Sequence, residues 1–169
     1  AGRYRGGNSA VFAMVPHGVT SIAHAPSAAG CAVPTGAGFS GGKPACTNAF
    51  RMVKESDVRT RFATGEIPLS MDELQGHEVA VSPKERGLMQ GASDVWEVRW
   101  TAGGGYGDPL DRSPASVVDD IREGCVTAEW ARTAYGVCLQ DDTDIPTLDD
   151  SETIALREAR WQARLNSVS

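Results

Sequence analysis

Four glycines in five positions, Gly103 to Gly107 within AGGGYGDPL (Ala102 to Leu110), are the strongest constraint on what this chain can build. A backbone without Cβ atoms is a poor helix or strand interior, but it can take positive φ or approach another segment closely, with Tyr106 as the one large side chain. The run lies between a predicted strand and a predicted helix, so a phosphate-binding loop has to be weighed. The Walker pattern needs a Lys followed by Ser or Thr at the helix start, and the dinucleotide fingerprint needs GxGxxG running directly into the helix. Neither holds: Asp108-Pro109 intervenes, and an aspartate there repels phosphate. The motif reads as a tight strand-to-helix junction, and nucleotide binding by this chain alone is not expected.

Glycine and proline dominate elsewhere too, with 19 Gly and 9 Pro in 169 residues, so much of the chain must be turns and extended segments. An apolar fraction of 41% supports one core with attached arms. The expected class is α+β: a β-rich, loop-rich region over 1–109, a two-helix unit over 110–140, and an acidic linker with a C-terminal helical arm over 141–169. A net charge of -6 without a basic patch argues against nucleic acid, since phosphate binding needs clustered Lys and Arg. No run approaches the roughly 20 apolar residues that span a bilayer, and AGRYRGGNSA has no signal-peptide core, so a cytoplasmic chain without a membrane partner is expected. Its first residue is Ala1, inside a Gly/Arg-rich stretch that reads as the middle of something longer.

Ser9 to Ala25 carries two short apolar runs around Pro16-His17-Gly18, a hairpin signal. Pro26 to Pro44 is too rich in Gly, Pro and Ala for either periodicity and predicts an extended, polyproline-like loop. Thr47–Lys54, Glu78–Ser82 and Asp94–Thr101 predict strands. In the last, Val95, Glu97, Arg99 and Thr101 share one face and Trp96, Val98 and Trp100 the other, a half-buried pattern. Ser113-Pro114 starts a helix carrying Val117, Val118 and Ile121, which Gly124 closes. Thr127 caps a second, with Ala131 and Ala134 inside and Gly136 at its end. Six acidic residues, Asp141, Asp142, Asp144, Asp149, Asp150 and Glu152, surround Pro146. They lack the glycine and closing glutamate of an EF-hand and predict a solvated linker. Ser151 to Asn166 predicts a docking helix with Ile154, Trp161 and Leu165 in a stripe and Arg157, Arg160 and Arg164 toward its C-terminus.

Few residues offer chemistry. Cys31, Cys46, Cys125 and Cys138 match the count of a structural zinc site, but gaps of 14, 78 and 12 residues contain no CxxC pair. Small apolar core thiols are the better reading, with the four-cysteine metal site as the alternative and no metal expected otherwise. His17 and His24 flank the predicted turn and His77 stands alone, none beside a recognisable nucleophile. Arg3, Tyr4 and Arg5 form a basic-aromatic cluster suited to an anion or to acidic neighbours. Arg3, Arg5, His17 and Tyr106 are therefore the candidate substrate-binding residues, and no catalytic residue is assigned.

The order AGRYRGG (Ala1–Gly7), FSGGKP (Phe39–Pro44), AGGGYGDPLDRSP (Ala102–Pro114), REGCVT (Arg122–Thr127), ARTAYGVCL (Ala131–Leu139) and ALREARW (Ala155–Trp161) resembles the C-terminal third of the hydantoinase B family. That family includes ATP-dependent hydantoinases, 5-oxoprolinase and the acetone and acetophenone carboxylases. The resemblance spans almost the whole chain and is poor between Glu55 and Gly91, which looks like an insertion. It implies that ATP is handled by a larger hydantoinase A-type partner that phosphorylates the substrate, and bicarbonate too in the carboxylases. It also implies that the divalent metal and catalytic residues lie in a longer hydantoinase B-type part absent here. The chain would then be a mainly structural small subunit, most like that of an acetophenone carboxylase, or a segment of a longer chain. A hydantoinase or oxoprolinase equivalent is the alternative.

Overall fold

The structure is a computed structural model and describes residues 1–141 and 143–167. Six short strands precede the main helices, β1 Val11–Met14, β2 Ser21–His24, β3 Ala49–Lys54, β4 His77–Ala80, β5 Leu88–Gly91 and β6 Val95–Arg99. The helices are α1 Val58–Ala63, α2 Pro114–Arg122, α3 Ala128–Trp130 and α4 Asp150–Asn166. This is the α+β arrangement expected, strands early and helices concentrated toward the C-terminus. No helix among the described residues is long and apolar enough to cross a membrane. The chain forms two compact units, one of Ala1–Asn8, Gly36–Ala45 and Gly103–Ser169, the other of Ser9–Thr35 and Cys46–Ala102. Both are discontinuous in sequence, whereas the segments 1–109, 110–140 and 141–169 drawn from composition are continuous.

The sheet unit holds an antiparallel four-stranded sheet in the order β1-β6-β3-β4 and a separate pair β2-β5. The expected hairpin does not form: β1 pairs with β6 and β2 with β5. Pro16, between them, is fully buried and its carbonyl accepts from Arg59, whose Nε also reaches the Ala92 carbonyl at 2.9 Å. Pinned there, the chain passes from one sheet to the other instead of turning back. β6 is not half-buried either. Val95, Trp96, Glu97 and Val98 are all buried, because an inner strand is covered on both faces. Trp96 and Val98 pack with Met52 and Leu88, and Val95 packs with Val53, Val58 and Met71. The stretch that looked like an insertion supplies α1, the turn at Met71 and β5, hence part of both clusters.

One polar group is fully buried here. Gln90 donates from Nε2 to the carbonyls of Met14 and Asp94 at 2.8 and 2.9 Å, and its Oε1 lies 2.8 Å from His24 Nε2. An amide oxygen only accepts, so His24 carries its proton on Nε2.

The other unit has its own core of Val117, Val118, Val126, Ala131, Ala134, Tyr135 and Val137. Most of the expected end signals act as read: Pro114 opens α2, although the Ser113 hydroxyl makes no capping bond, the Thr127 hydroxyl accepts from Trp130 N at 3.0 Å, and Gly136 closes a π-helical turn over Ala131–Tyr135 in the left-handed conformation. α4 docks in an unexpected orientation. Its apolar stripe, Ile154, Trp161 and Leu165, is exposed. Its polar side does the packing: Thr153 is buried and its hydroxyl accepts from Cys138 N at 2.9 Å. Arg157 donates to the carbonyls of Tyr135 and Arg112, and Arg160 to that of Thr133. Arginine stems cover apolar surface while their forks satisfy carbonyls at the ends of neighbouring elements, so this helix needs no apolar stripe to dock.

Candidate functional site

Three glycine-bearing segments, 1–7, 36–45 and 103–107, lie side by side as a braid. Tyr4 and Tyr106 exchange both backbone hydrogen bonds at 2.9 Å. On the other side the N–H groups of Phe39 and Gly107 reach the carbonyls of Gly105 and Phe39, both at 2.9 Å. Lys43 donates to Ala1 O at 2.7 Å and receives from Gly105 N at 3.0 Å. A Cβ on Gly105 would stand 1.9 Å from Ala1 O, and one on Gly104 2.0 Å from Ala37 O, so only glycine permits this spacing. Gly107 is the one residue of the run at positive φ, +74°. Close approach, more than turning, is what the glycines supply.

Backbone hydrogen bonds also occupy most of the donors of the glycine run. The N–H groups of Gly103, Gly105, Tyr106 and Gly107 are committed to Gly7, Lys43, Tyr4 and Phe39 carbonyls, leaving none of the four to a phosphate. Asp108 then caps the turn Pro109–Asp111, accepting from Leu110 N at 2.9 Å, and pairs with Arg164.

Large side chains on the braid point to solvent. Tyr4, Phe39 and Tyr106 are exposed, the two tyrosine rings 6.2 Å apart, with the Arg3 guanidinium 5.7 Å from the Tyr4 ring centre. Arg5 behaves differently. Its Nε donates to Asp120 Oδ1 at 2.8 Å, while Arg112 takes Oδ2 at 2.8 Å. Asp120 is buried on α2, and hydrogen bonding to it raises the Arg5 pKa further above its already high value. The structure thus brings Arg3, Arg5 and Tyr106 onto one braid but ties Arg5 to an acidic partner. His17 is exposed between β1 and β2 in the sheet unit.

Each unit holds two of the cysteines, all four as free thiols. Cys138 is buried and burial pushes its thiol pKa up; Arg132 donates to its sulfur at 3.1 Å. Cys125 accepts from Asn8 at 3.1 Å. Among the described residues no three His, Cys, Asp or Glu side chains gather where they could hold a metal ion. The acidic linker is shorter than expected. Asp149 is the N-cap of α4, accepting from Glu152 N at 2.9 Å, and Asp150 and Glu152 sit in the first turn. Asp142 lies outside the described residues.

Sequence reasoning missed Asp120 and Arg112. Arg112 and Asp120 are eight positions apart, across a turn and a helix start, and no periodicity connects them to Arg5.

No family model matches the chain. It is 30% identical over 172 residues to the acetophenone carboxylase delta subunit of Aromatoleum aromaticum, an alignment covering 96% of this chain and 25% of that protein. Among solved structures, nucleotide-free acetone carboxylase superposes with a TM-score of 0.62 at 30% identity, over 76% of this chain and 19% of that one. The ATP-dependent caprolactamase of Pseudomonas jessenii gives 0.62 at 26% identity, over 94% and 24%. The chain spans about a quarter or less of the length of these relatives. With agreement in sequence and fold together, the chain is homologous to the hydantoinase B, oxoprolinase and acetone and acetophenone carboxylase family.

Proposed function

We propose that this chain is a mainly structural part of the hydantoinase B-type component of an ATP-dependent ketone carboxylase, of the acetophenone carboxylase kind. It serves as a small subunit or as a segment of a longer chain. ATP and a divalent metal are bound by larger hydantoinase A-type and B-type chains, and the active assembly is a hetero-oligomer. The observation that carries this reading is the alignment with the acetophenone carboxylase delta subunit over 96% of the chain. Two local features agree with a structural part: the N–H groups of Gly103, Gly105, Tyr106 and Gly107 go to carbonyls of the braid itself, and Arg5 spends its Nε on Asp120.

Affinity purification of the chain from its native host tests the assembly. Larger hydantoinase A-type and B-type chains are expected to co-purify, with ATP consumption that requires both bicarbonate and a ketone. Recovery of the chain alone overturns the proposal. A second reading, an ATP-dependent amidohydrolase, is favoured by the 94% coverage in the caprolactamase superposition, and ATP-dependent lactam or hydantoin opening without bicarbonate selects it. Within the purified assembly, Arg3→Ala, His17→Ala and Tyr106→Phe are expected to change turnover less than about tenfold, equivalent to about 1.4 kcal/mol of barrier. A larger loss with the assembly intact assigns these residues a direct part in the reaction.

A further inference from the structure

An apolar groove in the sheet unit opens between the β1–β6 face and the segment running from α1 to Met71. Its volume is about 310 Å³, and Val11, Phe62, Ile67, Leu69 and Met71 form its walls. Ile67 and Leu69 are 74% and 92% exposed at the rim, and Phe62 is 42% exposed. The groove also contains Glu97, from the middle of β6 on the face covered by α1 and Met71, where an apolar residue would ordinarily stand.

Glu97 is only 8% exposed. Among the described residues its one charged neighbour within pairing distance is Arg99, at 3.8 Å on the same strand, and no hydrogen bond reaches its carboxylate. Arg51, its cross-strand partner on β3, is committed to Glu78 and Asp72. A carboxylate set among apolar walls, with its nearest cation 3.8 Å away, is free to take a charge-assisted hydrogen bond from a bound cation.

We propose that this groove binds an organic ammonium ion, an arylalkyl- or alkylammonium whose apolar body lies against Phe62, Ile67 and Leu69 and whose charged end meets Glu97. An anion would meet like charge at the base. A neutral apolar molecule would seal the carboxylate away without a counter-charge. The volume falls at the lower end of small-molecule pockets, enough for one ring and a short tether. Carboxylate and apolar wall together select an amphiphile of one sign, in the usual pattern of an apolar pocket with one orienting polar group.

The test is a methyl-detected NMR titration of the full chain with 2-phenylethylammonium, against 2-phenylethanol as its neutral counterpart. Shifts are expected at Ile67, Leu69 and Met71, with the ammonium binding about tenfold tighter than the alcohol, the ratio that about 1.4 kcal/mol of charge-assisted bonding supplies. Glu97→Gln is expected to remove the preference while leaving weak binding of both. Leu69→Asn, on the exposed rim, is expected to weaken both probes and keep their ratio, which preserves the test if the Glu97 variant fails to fold. No shift at millimolar probe overturns the proposal, as does equal binding of the two probes or an unchanged preference in Glu97→Gln. Shifts of the same methyls with protein concentration alone, accompanied by dimers in sedimentation, place a second copy in the groove and likewise overturn it.

Discussion

The two units of this chain solve the same problem with different materials. In the sheet unit, Met52, Val53, Val95, Trp96 and Val98 come from adjacent strands and bury large side chains on both faces of one sheet, so side-chain area removed from water holds it. In the braid unit the three segments 1–7, 36–45 and 103–107 have almost no side chains between them. Cohesion there comes from backbone hydrogen bonds at van der Waals separation and from the Arg5–Asp120–Arg112 cluster, with an apolar core confined to the helices. A sheet held by volume should yield gradually as atoms are removed. A braid held by the absence of atoms should fail when a single one is added.

The largest expected effect is therefore a gain of one carbon. Gly105→Ala places a Cβ 1.9 Å from Ala1 O, against backbone that cannot rotate away, and should destabilise the braid unit by about 4 kcal/mol or more. Gly7→Ala, whose Cβ would meet nothing within 4 Å, is the matched control. Amide exchange resolved by unit reads both, and equal behaviour of the two variants breaks the contrast. Next, Asp120→Ala should cost about 3 kcal/mol, the lower end for breaking a buried pair, because Arg5 and Arg112 retain some access to water. Denaturant unfolding checks it, and a loss under 1 kcal/mol (roughly the worth of an exposed pair) would remove the cluster from the account.

In the sheet unit Met52→Ala, at a fully buried site, should cost about 3 kcal/mol through the cavity it leaves, comparable to Asp120→Ala but by loss of volume. Met52→Leu should restore most of it, whereas no conservative exchange rescues Gly105. Smaller again, Thr153→Val should loosen α4 by about 1–2 kcal/mol by leaving Cys138 N without its acceptor, while Ile154→Ala on the exposed stripe stays within about 0.5 kcal/mol. The reverse order would mean that α4 docks by its stripe.

The smallest effect is one of pH. Hydrogen bonds from Glu152 N, then from Ser151, hold the Asp149 carboxylate below its ordinary pKa. A depressed folded-state pKa contributes stability that is complete above the unfolded value and lost as pH falls through the folded one. Amide protection in the first turn of α4 should therefore decline below the usual aspartate range and be flat near neutrality. Asp149→Asn, which keeps an accepting oxygen at the cap, should flatten the acid limb.

Much of the local structure was legible because its causes are local. Pro114, Thr127 and Gly136 announce helix ends through φ requirements and cap chemistry that act within a turn. Strand partners were not legible. Pro16-His17-Gly18 carries every local sign of a turn, and only Arg59 and the burial of Pro16, more than forty positions apart in cause and effect, send β1 and β2 to different sheets. Glu97 shows the same limit. Alternation placed it on one face of β6, while its enclosure depends on α1 and Met71, which come from the stretch 55–91 where the resemblance to the family is poor.

What the sequence determined by itself is the material of each part and the family resemblance: a glycine run that no regular element can use, helices with start and stop signals behind it, and similarity to a far longer carboxylase subunit. What only the tertiary structure decided is which backbone the glycines admit, which acid holds Arg5, and which side of α4 faces inward. Composition and periodicity report what a residue can do with its neighbours in the chain. Close approach, ion pairing and burial depend on residues tens of positions away, and those are assigned only when the segments meet.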